Sequence, residues 1–228
     1  MICLLLIELV SFPQRDDAIF ESLHEKGEVI ATSSGSIGFY KDGKCQQTHP
    51  NMTLGKDDKS TDWCSNIAKP NDKIDDKTNG KPWISYRLKN KRIRANSYAF
   101  RSGCCINQCC CIDDDTIIDD CYCCSLLSYS LQVSDDNITW RTIHSVEEDH
   151  EIKRCTNRVH KFEKVEEFTF VRLVLDKPRP HCENCFALNR FEIYGSTIYD
   201  NGIYDTNIDD DNDESVSIIG KIDRNNDI

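Results

Sequence analysis

Cysteine is the residue type whose number and spacing could do chemistry, because the chain has fourteen cysteines and eight of them crowd into residues 103–124. Thiolates at such density chelate soft ions such as Zn²⁺ or Cu⁺. The sequence therefore contains a candidate metal site, with zinc as the candidate cofactor, formed by Cys109, Cys110, Cys111, Cys121, Cys123 and Cys124. The alternative is an insertion with free or partly oxidised thiols, because adjacent cysteines pair poorly with one another but can bridge outward to distant partners.

A second group of sulfur and imidazole ligands follows later in the chain. Cys182 and Cys185 form a CxxC pair, and His181 precedes it directly. Together with Cys155 these residues define a second candidate site, for a metal or for a disulfide: Cys155, His181, Cys182 and Cys185. His160 is a further candidate ligand in this group. Because this group contains a single CxxC pair, a short loop with one local disulfide is the alternative that the pattern favours.

Patterns that would indicate an enzyme are missing from the sequence. It contains no HExxH motif and no glycine-rich phosphate loop, and no serine or cysteine nucleophile lies at a meaningful spacing from the remaining histidines. The run Asp209–Asp213 imitates a calcium loop, but Glu214 stands where an EF-hand requires glycine. We therefore predict a protein without catalytic activity.

The distribution of charge restricts the partners. The net charge is −11, of which residues 197–228 carry −7 and residues 1–24 carry −3, so that residues 25–196 are nearly neutral. Nucleic acids and anionic membranes both reward clusters of Lys and Arg, which this body lacks. These two classes of partner are disfavoured, whereas a carbohydrate or a protein ligand is compatible with a neutral surface.

Short segments with a period of two alternate with clusters of Asn, Asp, Gly and Pro between about residues 27 and 195. The clearest is 127–134, where the odd positions are apolar and the even positions are small and polar. This is the pattern of a strand with one buried face. Strands are also expected at 83–89, 97–101, 138–140, 168–175 and 188–194. With no long amphipathic segment between them, the series predicts an antiparallel β-sandwich.

The order of these segments resembles the discoidin domain, also known as the coagulation factor V/VIII type C domain. The segments that carry the resemblance are Ala31–Gly35, Asp62–Asn66, Pro82–Leu88, Tyr129–Trp140, Phe170–Val174 and Ala187–Gly195. It implies a jelly-roll sandwich of the galactose-binding-like type, whose loops at one end bind ligands and which has no catalytic machinery. The cysteines that frame the domain in many extracellular members are absent from 28–33 and 195–197.

The resulting domain prediction has three parts. Residues 1–26 form an N-terminal helical segment, residues 27–196 form the discoidin-like domain with a cysteine-rich insertion at 103–124, and residues 197–228 form a disordered acidic tail. We expect recognition to use loops 41–62, 102–125, 145–160 and 178–187.

The aromatic residues and the N-terminus lead to three more expectations. Trp83 and Trp140 should belong to the core, whereas Trp63 is free to stack on a sugar. Residues 1–10 lack the basic region of a signal peptide, so the cytoplasm is predicted and an extracellular location is the alternative. In the latter case Asn51 and Asn137 are glycosylation sequons.

Overall fold

The computed structural model describes Arg15 and residues 17–41, 44–55, 59–67, 80–104 and 122–199. Outside this part of the chain lie residues 1–14 and Asp16 of the expected helical segment 1–26, the calcium-like run 209–213 and the acidic tail from residue 200 onward. Residues 197–199, which were expected to begin the tail, are strand residues. Among the residues described, no helix is long and apolar enough to cross a membrane.

Eleven strands and one α-helix make up the described architecture. The helix is α1 (Ile19–His24), and 3-10 turns are found at Pro50–Thr53 and Tyr122–Cys124. The strands are β1 (Val29–Ser33), β2 (Gly38–Lys41), β3 (Lys44–Gln47), β4 (Trp63–Cys64), β5 (Trp83–Leu88), β6 (Lys91–Ser102), β7 (Ser128–Ser134), β8 (Arg141–Val146), β9 (Asn157–Phe168), β10 (Phe170–Lys177) and β11 (Ala187–Tyr199).

Two antiparallel sheets form the sandwich. One has the strand order β1-β5-β10-β7-β8, the other has the order β4-β11-β6-β9, and β2 and β3 form a separate hairpin. The predicted all-β antiparallel sandwich is therefore confirmed. β10 lies at the centre of the five-stranded sheet, which explains why Leu173, Val174 and Leu175 are all at most 1% exposed although their side chains alternate between the two faces.

Aromatic side chains fill the space between the sheets. Tyr86 of β5 stacks on Phe191 of β11 with ring centroids 4.6 Å apart. Phe100 of β6 meets the ring of Tyr129 of β7 edge to face at 5.3 Å. Offset and edge-to-face contacts of this kind add about 0.5–1.5 kcal/mol each to the stabilisation that burial provides.

The helix α1 belongs to the same core. Phe20 is fully buried and packs against Tyr86 at a centroid distance of 5.3 Å. The carboxylate of Glu192 on β11 accepts hydrogen bonds from the backbone N–H groups of Phe20 (2.7 Å) and Glu21 (2.9 Å), which a helix of this length cannot satisfy internally. Burial raises the pKa of Glu192 to about 7, although these N–H groups act in the opposite direction.

The connections differ greatly between the two ends of the sandwich. At the end that we call the turn end, β5 and β6 are joined by Lys89 and Asn90, and β9 and β10 by Thr169 alone. At the opposite end, the loop end, the connections are the long segments 103–127, 147–156 and 178–186. Long loops held on a rigid scaffold are where binding residues usually lie.

The structure corrects the assignment of the tryptophans. Trp63 is fully buried, donates a hydrogen bond from Nε1 to Ser36 Oγ at 2.7 Å and meets Phe186 edge to face. Trp83 and Trp140 are partly exposed, so the prediction that they are core residues was wrong. Trp83 alternates with the buried Ile84 and therefore lies on the outer face of its sheet.

The strand predictions agree with β5, β6, β7, β10 and β11. The expected strand 138–140 was wrong: it lies in the connection before β8, where Asp136 Oδ1 accepts hydrogen bonds from the backbone N–H groups of Ile138 and Thr139. No strand was predicted at β1 to β4 or at β9.

The inward-facing positions of β9 include the polar residues Arg158 and His160. Its alternation of inward and outward positions is therefore not an alternation of apolar and polar residues. Part of the predicted loop 41–62 forms β3 and the 3-10 turn Pro50–Thr53, where Thr53 is hydrogen-bonded to the hydroxyl of Tyr86 at 2.7 Å.

The difference between the tryptophans can be measured. We expect Trp63→Ala to lower the free energy of unfolding by about 3–5 kcal/mol, because it removes a fully buried ring and leaves a cavity. Trp83→Ala should cost clearly less, because its ring is partly in solvent already. Urea unfolding of the two variants and the wild type gives both values, and equal losses would contradict the burial difference.

Candidate ligand-binding site

Two disulfides tie the loops of the loop end together. Cys104 is bonded to Cys155 with a Cα–Cα distance of 4.5 Å, and Cys123 is bonded to Cys182 with a Cα–Cα distance of 5.1 Å. The connection between β6 and β7 is therefore fastened at its beginning to the loop 147–156 and at its end to the loop 178–186. Cys64 and Cys185 each take part in a disulfide as well.

A single buried guanidinium joins three of these loops. Arg179 is only 3% exposed, and its Nε donates to Ser125 Oγ at 2.8 Å. Its Nη2 donates to the carbonyl oxygens of Asp149 (3.3 Å) and Ile152. Buried charges are tolerated when each donor has a partner, and the five donors of arginine suit such a role. Arg179 thus fixes the loops 122–127, 147–156 and 178–186 relative to one another.

A second buried polar network underlies the same loops. Arg101 is fully buried and donates to the side-chain oxygens of Asn157 (3.0 Å) and Asn189 (3.1 Å). Asn189 donates to Asp62 Oδ1 at 3.0 Å, and Asp62 Oδ2 accepts a hydrogen bond from the backbone N–H of Cys104 at 2.8 Å. The network connects the segment before β4, the end of β6 and the start of β9.

The loop 147–156 is also held from the side of β9. Arg158 forms two hydrogen bonds with the carboxylate of Asp149, at 2.7 and 2.9 Å. These bonds, together with the charge of Arg158 and two backbone N–H donors, hold the pKa of Asp149 below its usual range. Two-point pairing of this kind fixes orientation as well as distance.

Tyr122 is the large apolar residue that these supports present to solvent. Its side chain is 40% exposed, and the guanidinium of Arg179 lies 4.9 Å from the ring centroid. The cation holds the ring through a cation–π contact, which keeps a partly exposed aromatic surface in one position. The loops 147–156 and 178–186, which Arg179 fixes together with the segment of Tyr122, carry exposed polar residues, among them His150, Lys153, His181 and Glu183. Such a surface can stack on the apolar face of a ring-shaped ligand and hydrogen-bond to its edge.

Sequence reasoning did not single out Tyr122. It lies in the segment Cys121-Tyr122-Cys123-Cys124, whose cysteines suggest metal binding. Position 122 belongs to no alternating strand, so an aromatic residue there had no core role to fill. The position of this aromatic residue outside any alternating strand was the sequence signal for a surface role.

The structure places the predicted sulfur ligands as follows. Four of them are in disulfides and therefore offer no thiolate to a metal: Cys123, Cys155, Cys182 and Cys185. Cys124 is buried. His181 is exposed beside Cys182, in a left-handed backbone conformation with φ = 65°. Within the described ranges, which include the whole second candidate site and His160, no three His, Cys, Asp or Glu side chains lie close enough to hold a metal. His160 is instead hydrogen-bonded through Nε2 to the hydroxyl of Tyr129. The predicted ligands Cys109, Cys110, Cys111 and Cys121 lie outside the described residues, and their metal binding stays a prediction.

The chain was compared with known proteins. No family model matches the sequence, and no curated protein matches it either. Among solved structures, it is similar to the family 32 carbohydrate-binding module CBM32-5 of CpGH89 from Clostridium perfringens, in complex with GalNAc-β-1,3-galactose. The identity is 13%, the TM-score is 0.49, and 75% of this chain and 97% of that chain are covered.

Two further structures are similar to the same extent. The module CBM32-3 of a family 31 glycoside hydrolase from Clostridium perfringens is 13% identical, with 78% of this chain and 95% of that chain covered and a TM-score of 0.49. A chitosan-binding module of a chitosanase/glucanase from Paenibacillus sp. IK-5 is 17% identical, with 74% and 96% covered and a TM-score of 0.46. Family 32 modules have the discoidin, or galactose-binding-like, fold.

Removing one disulfide should destabilise the domain measurably. The bond between Cys104 and Cys155 closes a loop with a sequence separation of 51. Replacing both residues with serine should therefore lower the free energy of unfolding by roughly 4 kcal/mol, because the unfolded chain regains the freedom that the bond removes. Urea unfolding of the double variant measures the loss.

The same experiment tests whether the disulfides support the loops of the loop end. A reductant should destabilise the wild type at least as much as the double substitution does, because it also opens the bond between Cys123 and Cys182. If neither the substitution nor the reductant changes the unfolding midpoint, these bonds do not support the loops.

Proposed function

We propose that this protein is a non-catalytic carbohydrate-binding module and that the loop end holds the sugar. The observation that carries the proposal is the position of Tyr122, a partly exposed ring held over a buried arginine on loops that two disulfides fasten. The resemblance of the sequence to discoidin domains supports the same class of function, since the loops of those domains bind ligands.

The chemistry of a sugar fits this surface. A pyranose has an apolar face of C–H groups, which stacks on an aromatic ring, and a periphery of hydroxyl groups, which need hydrogen-bonding partners. Tyr122 offers the ring, and the exposed side chains of the loops 147–156 and 178–186 offer the partners. The nearly neutral body of the domain suits a neutral sugar better than a highly charged polymer.

Rigidity also supports binding at this end. A loop that becomes ordered only when it binds its ligand loses conformational entropy, and this loss weakens the affinity. The disulfides and the hydrogen bonds of Arg179 and Arg101 have already ordered the described parts of these loops. Binding can therefore proceed with little rearrangement.

The oxidised cysteines favour a location outside the reducing cytoplasm. Six cysteines of the described residues are in disulfides, which persist in secreted and extracellular proteins and are rare in the cytosol. The asparagines of both sequons, Asn51 and Asn137, are exposed, as N-glycosylation requires. We therefore propose the extracellular alternative in place of the cytoplasmic prediction.

A glycan array with the purified domain, followed by calorimetric titration of the best ligand, tests the proposal. Tyr122→Ala should weaken binding about tenfold, because an aromatic contact contributes about 0.5–1.5 kcal/mol beyond its buried area. Circular dichroism should show an unchanged fold, since the ring is partly in solvent.

Tyr199 provides a matched control at the opposite end of the molecule. Its side chain is 37% exposed, and the ammonium of Lys91 lies 4.9 Å from its ring centroid. Tyr199→Ala therefore removes an equivalent ring over an equivalent cation and should leave the affinity unchanged. Equal losses in both variants, or no binding to any glycan of the array, would overturn the proposed site.

A further inference from the structure

The two sheets meet along one side through edge strands. β8 is the last strand of the five-stranded sheet and β9 is the last strand of the four-stranded sheet, and each pairs with a single neighbour among the described strands. We call the line where they face each other the seam, and it is bridged by Arg141, His144, Asp149, Arg158, His160 and Glu166. Backbone hydrogen bonds hold each sheet together, whereas side chains close the seam.

Two histidines occupy the middle of the seam in a reciprocal arrangement. His144 of β8 is hydrogen-bonded through Nδ1 to the hydroxyl of Tyr98 on β6, in the opposite sheet, at 2.9 Å. His160 of β9 is hydrogen-bonded through Nε2 to the hydroxyl of Tyr129 on β7, again in the opposite sheet, at 2.9 Å. Each sheet therefore contributes one histidine and one tyrosine, and both hydrogen bonds cross from sheet to sheet.

The surroundings of the rings disfavour a positive charge on either histidine. The ring centroids of His144 and His160 are 4.6 Å apart, and both side chains are partly buried. Burial, then the neighbouring His144 and Arg158, lower the pKa of His160 to about 4, with Asp149 acting in the opposite direction. Burial also lowers the pKa of His144.

The tyrosines keep their protons. Both hydroxyl groups have pKa values raised by burial, so each can donate to a neutral imidazole nitrogen. A protonated imidazole offers no lone pair, so the hydroxyl group can then act only as an acceptor and its own proton loses its partner.

Ion pairs close the seam on both sides of the histidines. Arg141 of β8 pairs with Glu166 of β9 at 2.5 Å, and Arg158 of β9 pairs with Asp149, just beyond β8, at 2.7 Å. The charged and titratable groups that face the histidines from the packed elements are thus Tyr98 of β6, Tyr129 of β7, Arg158 of β9 and Asp149 of the loop 147–156.

We propose that the His144–His160 pair is an acid-sensitive latch between the two sheets. When both rings are neutral, the crossed hydrogen bonds hold β8 against β9. When protons bind, two positive rings face each other at short distance, both tyrosine donors lose their acceptors, and β8 separates from the seam. The edge of β8 that faces the seam then becomes accessible to solvent.

The direction of the pH dependence follows from the lowered pKa values of the two histidines. A histidine with a lowered pKa binds protons more weakly in the folded state, so its contribution to stability is complete above about pH 6.5 and is lost as the pH falls towards 4. Glu192 acts in the opposite direction, because its raised pKa adds a stabilisation that is lost as the pH rises through about 7. A comparison between variants cancels this second contribution.

The test uses hydrogen exchange of the full chain, corrected for intrinsic rates, at pH 7.5 and pH 5. In the wild type, exchange in β8 should accelerate about tenfold at pH 5 relative to exchange in β5, which lies inside the same sheet. His144→Asn combined with His160→Gln should abolish this acceleration, because an amide stands near each bonded nitrogen and takes up no proton. His49→Gln, at an exposed histidine far from the seam, should behave like the wild type.

Two results would overturn the latch. The first is equal acceleration in β5 and β8 of the wild type, which would indicate global loosening. The second is an acceleration of β8 that persists in the double variant. If the double variant does not fold at pH 7.5, the single variant His160→Gln serves, and it should reduce the acceleration at least by half. None of these readouts requires the sugar, so the latch and the proposed function succeed or fail separately.

Discussion

Contact between aromatic rings across the two sheets is the interaction on which the structure depends. The Tyr86–Phe191 stack and the Phe100–Tyr129 edge contact join strands that share no ladder of their own. Burial of these rings is nondirectional, so it brings the sheets together without closing their edges. The edges of the sheets must be closed by other interactions. These interactions differ between helix α1, the loop end and the seam.

Helix α1 shows one such means. Phe20 adds its ring to the aromatic core, and the helix N–H groups are satisfied by Glu192 of β11. Burying a carboxylate costs free energy, which three backbone donors offset in part: Phe20, Glu21 and Ile193. The segment before the first strand thereby becomes part of the sandwich.

The loop end and the seam represent two solutions with different consequences. At the loop end, covalent bonds and a permanently charged guanidinium hold the loops, and neither responds to pH in the physiological range. At the seam, neutral imidazoles hold the edges, and their contribution to stability is lost as the pH falls from about 6.5 towards 4. The end proposed to bind ligand is thus rigid, whereas the seam is the place where we propose a response to acid.

The sequence by itself determined the class of the fold and five of the eleven described strands. The alternation at 127–134 and the apolar run at 168–175 are local signals, because whether a face is buried depends on the period of two along one segment. The same pattern locates the long connections, which include the predicted recognition loops 102–125, 145–160 and 178–187. The absence of Lys and Arg clusters is likewise visible in the sequence without the structure.

Only the tertiary structure decided which distant residues meet. Cys104 and Cys155, or Tyr98 and His144, are brought together by sheet packing, and no local pattern specifies such pairs. The same applies to the tryptophans, because alternation shows that Trp83 shares a face with its second neighbours but not which face the other sheet covers. β9 escaped detection for a related reason: its inward positions are satisfied by ion pairs and by hydrogen bonds to the opposite sheet, which become favourable only after the two sheets have packed.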